Sequence, residues 1–220
     1  MTRPRNFDLL VFDWDGTLFD STALIARCIQ CACADVGTTV PTDAQASYVI
    51  GLGLVDALRH AAPELARERY PELAARYRQH YFAQQHRIVL FDGTLAMLRE
   101  LRQSGHKLAV ATGKSRRGLD EALAGVELRG LFDATRTADE TASKPDPRML
   151  DELMDELAIA PQRTLMIGDT THDLQLAANA GTACVAVSFG AHPETAFREH
   201  ATRHVARSTA DLHDWLKRHG

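Results

Sequence analysis

Four short apolar runs, separated by segments with helical spacing, constrain the fold of this chain most strongly. The runs are DLLVF at 8–12, KLAVA at 107–111, TLMIG at 164–168 and ACVAV at 183–187. Short continuous runs of this kind are typical of strands that are buried on both faces of a parallel sheet. The order strand, helix, strand predicts an α/β fold, a Rossmann-like parallel sheet with helices on both faces.

Four helices are predicted around these runs from apolar residues spaced three and four positions apart. Gly105 and Gly181 are expected to end two of them, Ser115 to cap one, and the Pro145–Pro147 segment to begin one. The apolar positions are Leu95, Leu98 and Leu101; Leu119, Leu123 and Val126; Leu150, Leu153, Met154 and Leu157; and Leu174, Ala177 and Ala178. Two weaker strands are predicted at 131–135 and near 204–206.

Residues 21–86 interrupt the alternation, because their pattern is helical almost throughout and contains no strand-like run. An all-helical block that follows the first strand of an α/β sheet predicts a separate small domain. We therefore expect an α/β core made of residues 1–20 and 87–220, with a helical domain at 21–86.

Composition limits the function classes. The 220 residues carry a formal net charge of −4 with no dominant Lys/Arg block, which argues against nucleic acid as a partner. No apolar stretch approaches the ~18 residues of a membrane span, and the start is too short and too polar for a signal peptide. We expect a cytoplasmic protein. The cysteines lack a second pair or nearby histidines to complete a zinc site, so we expect free thiols at Cys28, Cys31, Cys33 and Cys184.

Polar residues follow three of the predicted strands and occupy one loop between them. Ligands of parallel sheets bind outside the carboxyl ends of the strands, so these residues are expected to gather in one site. They are Asp13 and Asp15, then Thr112, Gly113 and Lys114, then Lys144, then Asp169, His172 and Asp173.

Four carboxylates in one cleft repel each other, and a divalent cation with oxygen ligands relieves this repulsion. Carboxylates without histidine or cysteine partners favour Mg²⁺ over zinc. Mg²⁺ usually shares its coordination with substrate phosphate. Thr112, the N–H group of Gly113 and the charge of Lys144 suit phosphate oxygens. The pattern predicts Mg²⁺ as cofactor and a ligand that carries phosphate.

The ordered strings DWDGTL, ATGK, SKP and GDTTHD resemble the four-motif set of the haloacid dehalogenase superfamily. The helical block after the first string is similar to the cap of the phosphoglycolate phosphatase-like branch. The string DGTL also occurs at 92–95, but the residue two positions before Asp92 is Leu90 rather than an aspartate. We therefore interpret the second string as a turn before a helix.

The resemblance implies a role for each acidic residue. Asp13 would attack phosphorus and become an aspartyl-phosphate, and Asp15 would act as general acid and then general base. Asp13, Asp169 and the main-chain carbonyl of Asp15 would hold Mg²⁺, and Asp173 would fix a metal-bound water or Lys144. In the same way, the transferred phosphoryl group would be bound by Thr112, Gly113 and Lys144.

The same resemblance narrows the reaction. Dehalogenases of the superfamily generally lack the second aspartate, and phosphonate-cleaving relatives use a cap lysine, whereas residues 21–86 contain no lysine. In relatives a cap of this type closes over the cleft, which favours a small phosphorylated metabolite. Hydrolysis of a small phosphomonoester is therefore expected, with phosphoglycolate as the leading substrate and pyrophosphate, sugar phosphates and nucleoside monophosphates left open. A phosphomutase and a non-catalytic binding protein of the same fold remain alternatives.

Several positions stay open in the sequence. Many relatives carry asparagine at the position of Gly113, so contact through the backbone alone is one reading. Lys114, Arg116 and Arg117 could reach the substrate, although an exposed helix start is favoured. His172 is more readily explained by a place beside the cleft than by metal binding. The paired glycines of the loop 50–54 are a candidate for substrate selection or simply a flexible connection.

Overall fold

The computed structural model describes residues 5–124, 128 and 130–220. In chain order the strands are β1 Leu9–Phe12, β2 Phe19–Asp20, β3 Val89–Leu90, β4 Lys107–Thr112, β5 Ala134–Thr137, β6 Thr164–Gly168, β7 Ala183–Val187 and β8 Val205–Ala206. The helices are α1 Thr22–Asp35, α2 Asp43–Tyr48, α3 Leu54–Ala61, α4 Tyr70–Gln84, α5 Thr94–Gln103, α6 Arg116–Ala124, α7 Arg148–Leu157, α8 Thr171–Asn179 and α9 Thr209–His219.

Six strands form one parallel sheet in the order β5-β4-β1-β6-β7-β8. The four apolar runs supply β1, β4, β6 and β7, as the sequence predicted. Strand β1 lies at the centre of the sheet and its four residues are fully buried between β4 and β6. This burial on both faces explains why the central strands read as continuous apolar runs.

Two apolar layers cover the sheet, because alternate side chains along each strand point to opposite faces. One layer packs α5, α6 and α9 against Leu10, Phe12, Leu108, Val110, Leu165 and Ile167. The other packs α7 and α8 against Leu9, Val11, Ala109, Ala111 and Met166. The predicted arrangement with helices on both faces is confirmed.

Strand β5 is displaced from its predicted position. The sequence predicted a strand at 131–135, but the structure has it at Ala134–Thr137. The apolar residue Phe132 lies before the strand and packs its ring 6.3 Å from that of Trp14. Because β5 is an edge strand, its middle residues are only half buried and include Arg136, so no apolar run marks it.

The predicted helices are present with small shifts in their ends. Ser115 precedes α6 and its Oγ accepts a hydrogen bond from the N–H group of Gly118 at 3.2 Å, as expected of a cap. Val126, which the sequence placed on this helix, lies outside the described residues. Within the described ranges, no helix combines the length and apolar character needed to cross a bilayer.

Residues 21–86 leave and rejoin the core through two short strands. Strands β2 and β3 pair antiparallel, with Phe19 opposite Leu90 and Asp20 opposite Val89. Helices α1 to α4 lie between them and bury an apolar cluster of their own, which includes Ile25, Ile29, Leu58 and Leu73. Three of the four cysteines are buried, Cys31 is half buried, and all four are free thiols.

Candidate active site

The carboxyl ends of β4, β1 and β6 lie side by side at one edge of the sheet. This order places Thr112, Asp13 and Asp169 in neighbouring positions directly at the strand ends. The N–H group of Asp13 continues the pairing and donates a 2.9 Å hydrogen bond to the carbonyl of Ile167. The residues predicted from the strand ends are thus brought together by the topology.

Three carboxylates and one ammonium form a buried cluster. The side chains of Asp13, Asp169 and Asp173 each offer an oxygen within 4.8 Å of the others. Nζ of Lys144 lies 2.8 Å from Oδ1 of Asp13 and 2.6 Å from Oδ1 of Asp173. Oδ2 of Asp13 is buried and has no hydrogen-bond partner among the described residues.

The charges of this cluster do not balance. Burial raises the pKa of Asp13 well above its usual value, against the opposing effect of Lys144. Burial and the neighbouring charge of Asp173 raise the pKa of Asp169 to about 7. Burial alone would lower the pKa of Lys144, but the charges of Asp13 and Asp173 outweigh it and raise this pKa. The donor set is all oxygen, carries an excess of negative charge, and includes an oxygen with no partner in the part of the chain that the structure describes. These features fit Mg²⁺.

Asp169 is held in one orientation by the loops around it. Its Oδ1 accepts a 2.8 Å hydrogen bond from Oγ1 of Thr17, and its Oδ2 accepts one of 2.7 Å from the N–H group of Ala191. Gly16 lies directly beside it with a φ of +80°, and a Cβ there would collide with the Asp169 carboxylate. The glycine of the first motif is therefore required both for its backbone conformation and for this close approach.

Asp173 is positioned by the start of α8. Oγ1 and the N–H group of Thr170 donate hydrogen bonds of 2.7 and 3.0 Å to Oδ2 of Asp173, in a reciprocal helix cap. The other carboxylate oxygen, Oδ1, is left to face Lys144. Within the string GDTTHD, Asp173 therefore takes part both in the helix cap and in the acidic cluster.

Asp15 is not one of the three clustered carboxylates. Its Oδ1 accepts a 2.7 Å hydrogen bond from Oγ of Ser21, and its Oδ2 lies 2.9 Å from Nζ of Lys114. The Lys114 side chain is 11% exposed, so the expectation of an exposed helix start is wrong for this residue. The expectation of an exposed side chain is correct for Arg117, which is 84% exposed and pairs with Glu121.

A cavity of about 590 Å³ opens above Asp13 and Asp15. Core residues Thr112, Gly113 and Lys114 line it together with residues of α1, α3, α4 and the loop before α3. The N–H group of Gly53 donates a 2.9 Å hydrogen bond to Oγ of Ser143, which ties this loop to the core. A ligand in the cavity would therefore contact both the sheet edge and the helical segment.

The loop before α3 lies so close to the end of β4 that Gly113 has no room for a side chain. A Cβ on Gly113 would lie 2.6 Å from the carbonyl oxygen of Gly51, well inside van der Waals contact. Gly51 itself has a φ of +93°. Both positions therefore favour glycine where the loop meets the core, a packing reason that the sequence analysis did not give for Gly113.

His172 is placed beside the cluster and bonds to the helical segment. Its Nε2 lies 2.8 Å from the carbonyl oxygen of Tyr48, and Nε2 of His192 lies 3.0 Å from the same oxygen. Nδ1 of His192 accepts a hydrogen bond from the N–H group of Thr171, so its proton is on Nε2. Burial lowers the pKa of both histidines, which favours these neutral, donating forms.

A family model described as haloacid dehalogenase-like hydrolase matches residues 10–187 of the chain. The chain belongs to this family. Its fold is shared with a haloacid dehalogenase-like family hydrolase from Streptococcus pneumoniae, with a TM-score of 0.83, 21% identity, and 96% of this chain and 99% of that chain covered.

Two curated relatives of this haloacid dehalogenase-like hydrolase are named as phosphate-releasing enzymes. The chain is 32% identical over 213 residues to pyrophosphatase PpaX of Halalkalibacterium halodurans, covering 93% of this chain and 94% of that protein. It is 34% identical over 196 residues to a phosphoglycolate phosphatase of Aliivibrio fischeri, covering 84% and 86%. The chain is thus an enzyme of the phosphatase type, as the four motifs predicted, and the non-catalytic alternative is wrong.

Four polar residues of the hydrolase site were given no role in the sequence analysis: Thr17, Ser21, Tyr81 and Ser143. Thr17 lies inside the string DGTL and could have been found there. Its hydroxyl is only two residues after Asp15, in the segment that follows β1, and is therefore close to the acidic residues at the strand ends. Ser143 immediately precedes Lys144. Ser21 and Tyr81 carry no such signal, since only tertiary structure brings them to Asp15 and Lys114.

Proposed function

We propose that this enzyme hydrolyses a small phosphomonoester through a covalent phosphate on Asp13. The observation that carries the proposal is the Asp13 carboxylate itself, which lies on the cavity wall. Its Oδ2 has no hydrogen-bond partner among the described residues, and its Oδ1 lies beside Lys144. A buried carboxylate held in place by a cation and aimed at a cavity is suited to nucleophilic attack.

The residues divide the reaction into two steps. In the first, an Asp13 oxygen bonds to phosphorus while the bond from phosphorus to the leaving oxygen breaks, and Asp15 gives that oxygen a proton. In the second, water attacks the same phosphorus, Asp15 takes the water proton, and the Asp13 carboxylate is regenerated as phosphate leaves. Ser21 and Lys114 orient Asp15 for both proton transfers.

The acidic cluster is proposed as the magnesium site. Asp13, Asp169 and the main-chain carbonyl of Asp15 would hold the ion, with Asp173 in the outer shell orienting Lys144. When bound, Mg²⁺ would supply positive charge that lowers the repulsion between the phosphate and the aspartates. Lys144 adds a fixed positive charge at the same place, and its contacts with Asp13 and Asp173 keep it there.

The phosphoryl group is proposed to bind between Thr112, Gly113 and Lys144. Residues 21–86 are proposed to act as a cap over a core of residues 1–20 and 87–220, because their loop at Gly51 and Gly53 lies on the strand ends. Phosphoglycolate is the leading substrate, supported by the similarity to a phosphoglycolate phosphatase, and pyrophosphate is supported by the similarity to PpaX.

The deciding experiment is phosphate release from a panel of small phosphate esters and pyrophosphate, with Mg²⁺ and then with a chelator. Metal-dependent release from one favoured compound is expected. An isomerised sugar phosphate without free phosphate would instead point to a phosphomutase. No product from any compound, with the protein folded, would overturn the proposal.

A further inference from the structure

We propose that Lys114 and Tyr81 form a subsite for a second anionic group, carried by the leaving group of the substrate. This inference rests on the proposed phosphatase function and names the class of substrate that the site prefers. The preferred substrates would be phosphate compounds whose leaving group bears a carboxylate or a further phosphate.

The position of Lys114 is the first observation. Its side chain is only 11% exposed, lines the cavity and bridges the core to α4. Nζ lies 2.9 Å from Oδ2 of Asp15 and 2.9 Å from the hydroxyl of Tyr81, with the Tyr81 ring centroid 5.0 Å away. Asp15 is the proposed proton donor to the leaving oxygen, so Lys114 marks the leaving-group side of the cavity.

Unused hydrogen-bond donors are the second observation. An ammonium group has three N–H donors, and two of those of Lys114 are directed at Asp15 and Tyr81. The Tyr81 hydroxyl accepts from Lys114, and no described residue accepts a hydrogen bond from it in turn. Two donors that line one cavity and lack acceptors among the described residues favour an anionic ligand group between them.

The surrounding charges agree with an anion on this side. Arg78 lies one turn before Tyr81 on α4, lines the same cavity, and has no ion-pair or hydrogen-bond partner among the described residues. The carboxylates in the lining are already engaged. Asp56 pairs with Arg59 at 3.7 Å, and Asp139 accepts hydrogen bonds from the main chain of Arg116 and from Thr137.

The competing explanation is that Lys114 only positions Asp15 and ties α4 to the core. In that case its loss would slow hydrolysis of every substrate by the same factor. A subsite predicts something different, namely a loss that is larger for substrates with a second anion. The ratio of kcat/KM values between an anionic and a neutral leaving group therefore separates the two explanations.

The test uses three compounds: phosphoglycolate, pyrophosphate and, as the neutral reference, ethyl phosphate. The wild-type enzyme is expected to prefer at least one anionic compound over ethyl phosphate by about tenfold or more in kcat/KM, as a charge-assisted contact would give. Preference for phosphoglycolate alone would identify a carboxylate, and preference for pyrophosphate alone a phosphate. No preference for either would overturn the inference.

Two variants and a control complete the test. Lys114→Met is expected to reduce the preference about tenfold, and Tyr81→Phe, which removes only the hydroxyl, about threefold. Arg117 lies at the same helix start but outside the cavity lining. Arg117→Met is therefore expected to leave the preference for an anionic leaving group unchanged. An equal loss for all three compounds in Lys114→Met, with a wild-type preference retained in Tyr81→Phe, would overturn the subsite.

A binding measurement keeps the subsite testable without turnover. The Asp13→Asn variant is expected to bind phosphoglycolate or pyrophosphate about tenfold more tightly than ethyl phosphate, measured by calorimetry with Mg²⁺. The double variant that also carries Lys114→Met should bind all three compounds with similar affinity. If the wild-type enzyme releases no phosphate, the proposed function fails and this comparison alone decides the subsite. Equal affinities for all three compounds would overturn it.

Discussion

Nζ of Lys144 lies 2.8 Å from Oδ1 of Asp13, and neither side chain is more than 1% exposed. The same ammonium also meets Asp173 at 2.6 Å. Removal of one partner from a buried ion pair leaves an uncompensated charge, which is far more destabilising than the loss of an exposed pair. The contact between Lys144 and Asp13 therefore has consequences for stability as well as for the proposed catalysis.

Lys144→Met is expected to lower the free energy of unfolding by about 3–5 kcal/mol, because Asp13 and Asp173 both lose their cation. Urea denaturation in a chelating buffer measures this loss. Lys107→Met is the matched control. Lys107 pairs with Asp133 at 3.0 Å but its side chain is 53% exposed, so a loss of about 1 kcal/mol or less is expected. Equal losses in the two variants would contradict the proposed importance of the buried charges.

Asp13→Asn is expected to reduce turnover by about a thousandfold or more while the fold is retained, because the amide has the same shape but is a poor nucleophile. Phosphate release and circular dichroism measure the two effects. Asp92→Asn is the matched control, since Asp92 begins the second DGTL string and lies in an exposed turn before α5. The turnover of Asp92→Asn should stay near the wild-type value. A collapse of turnover in this variant would mean that the essential aspartate lies in the second DGTL string.

Mg²⁺ should stabilise the protein more at about pH 8 than at about pH 5. The pKa of Asp169 is raised from 3.8 to about 7 by burial and by Asp173. Between these values the folded protein keeps a proton that the unfolded chain has released, so stability falls as pH rises through this window. A cation that binds the ionised carboxylate offsets this loss.

The measurement is the shift in melting temperature on adding Mg²⁺ at the two pH values. Asp169→Asn, which cannot ionise at this position, should show a much smaller shift that depends little on pH. The same Mg²⁺ shift at both pH values in the wild-type protein would contradict the assignment of Asp169 to the metal site.

Gly51→Ala is expected to lower kcat/KM by about tenfold. Gly51 has a φ of +93°, and an alanine in this conformation costs about 1–2 kcal/mol. The added Cβ would also lie 3.2 Å from Oγ1 of Thr170, so the loop is expected to shift. Gly37→Ala is the matched control, because Gly37 has a φ of +69° with no atom within 4 Å of the added Cβ. It should lose similar stability with unchanged kinetics. Identical kinetics in the two variants would contradict a role for the loop.

The central strands and the members of the acidic cluster could be predicted because their signals are local. Strand β1 is buried on both faces and so is apolar throughout, and Asp13 follows it directly. The edge strand β5 escaped this reasoning, since an edge needs no continuous apolar run. Strands β2 and β3 have two residues each, too few for any pattern.

Lys114 shows where sequence reasoning ends. A lysine just before a helix ordinarily extends into solvent, and nothing within several residues of it suggests otherwise. Its burial depends on Asp15 and Tyr81, which lie 99 and 33 positions away in the chain and come together only when α4 packs over the strand ends. Contacts of this kind are set by tertiary structure and cannot be predicted from periodicity or motif spacing.

The pairing of β2 with β3 sets both ends of residues 21–86 next to each other, with Phe19 opposite Leu90. Paired strands lie about 5 Å apart, so the two points at which the chain enters and leaves this helical segment lie side by side. Such a junction is a natural graft site. We expect that a segment of different length can replace this one, provided that it begins and ends on the same two strands, while Asp13 and its acidic neighbours stay as they are.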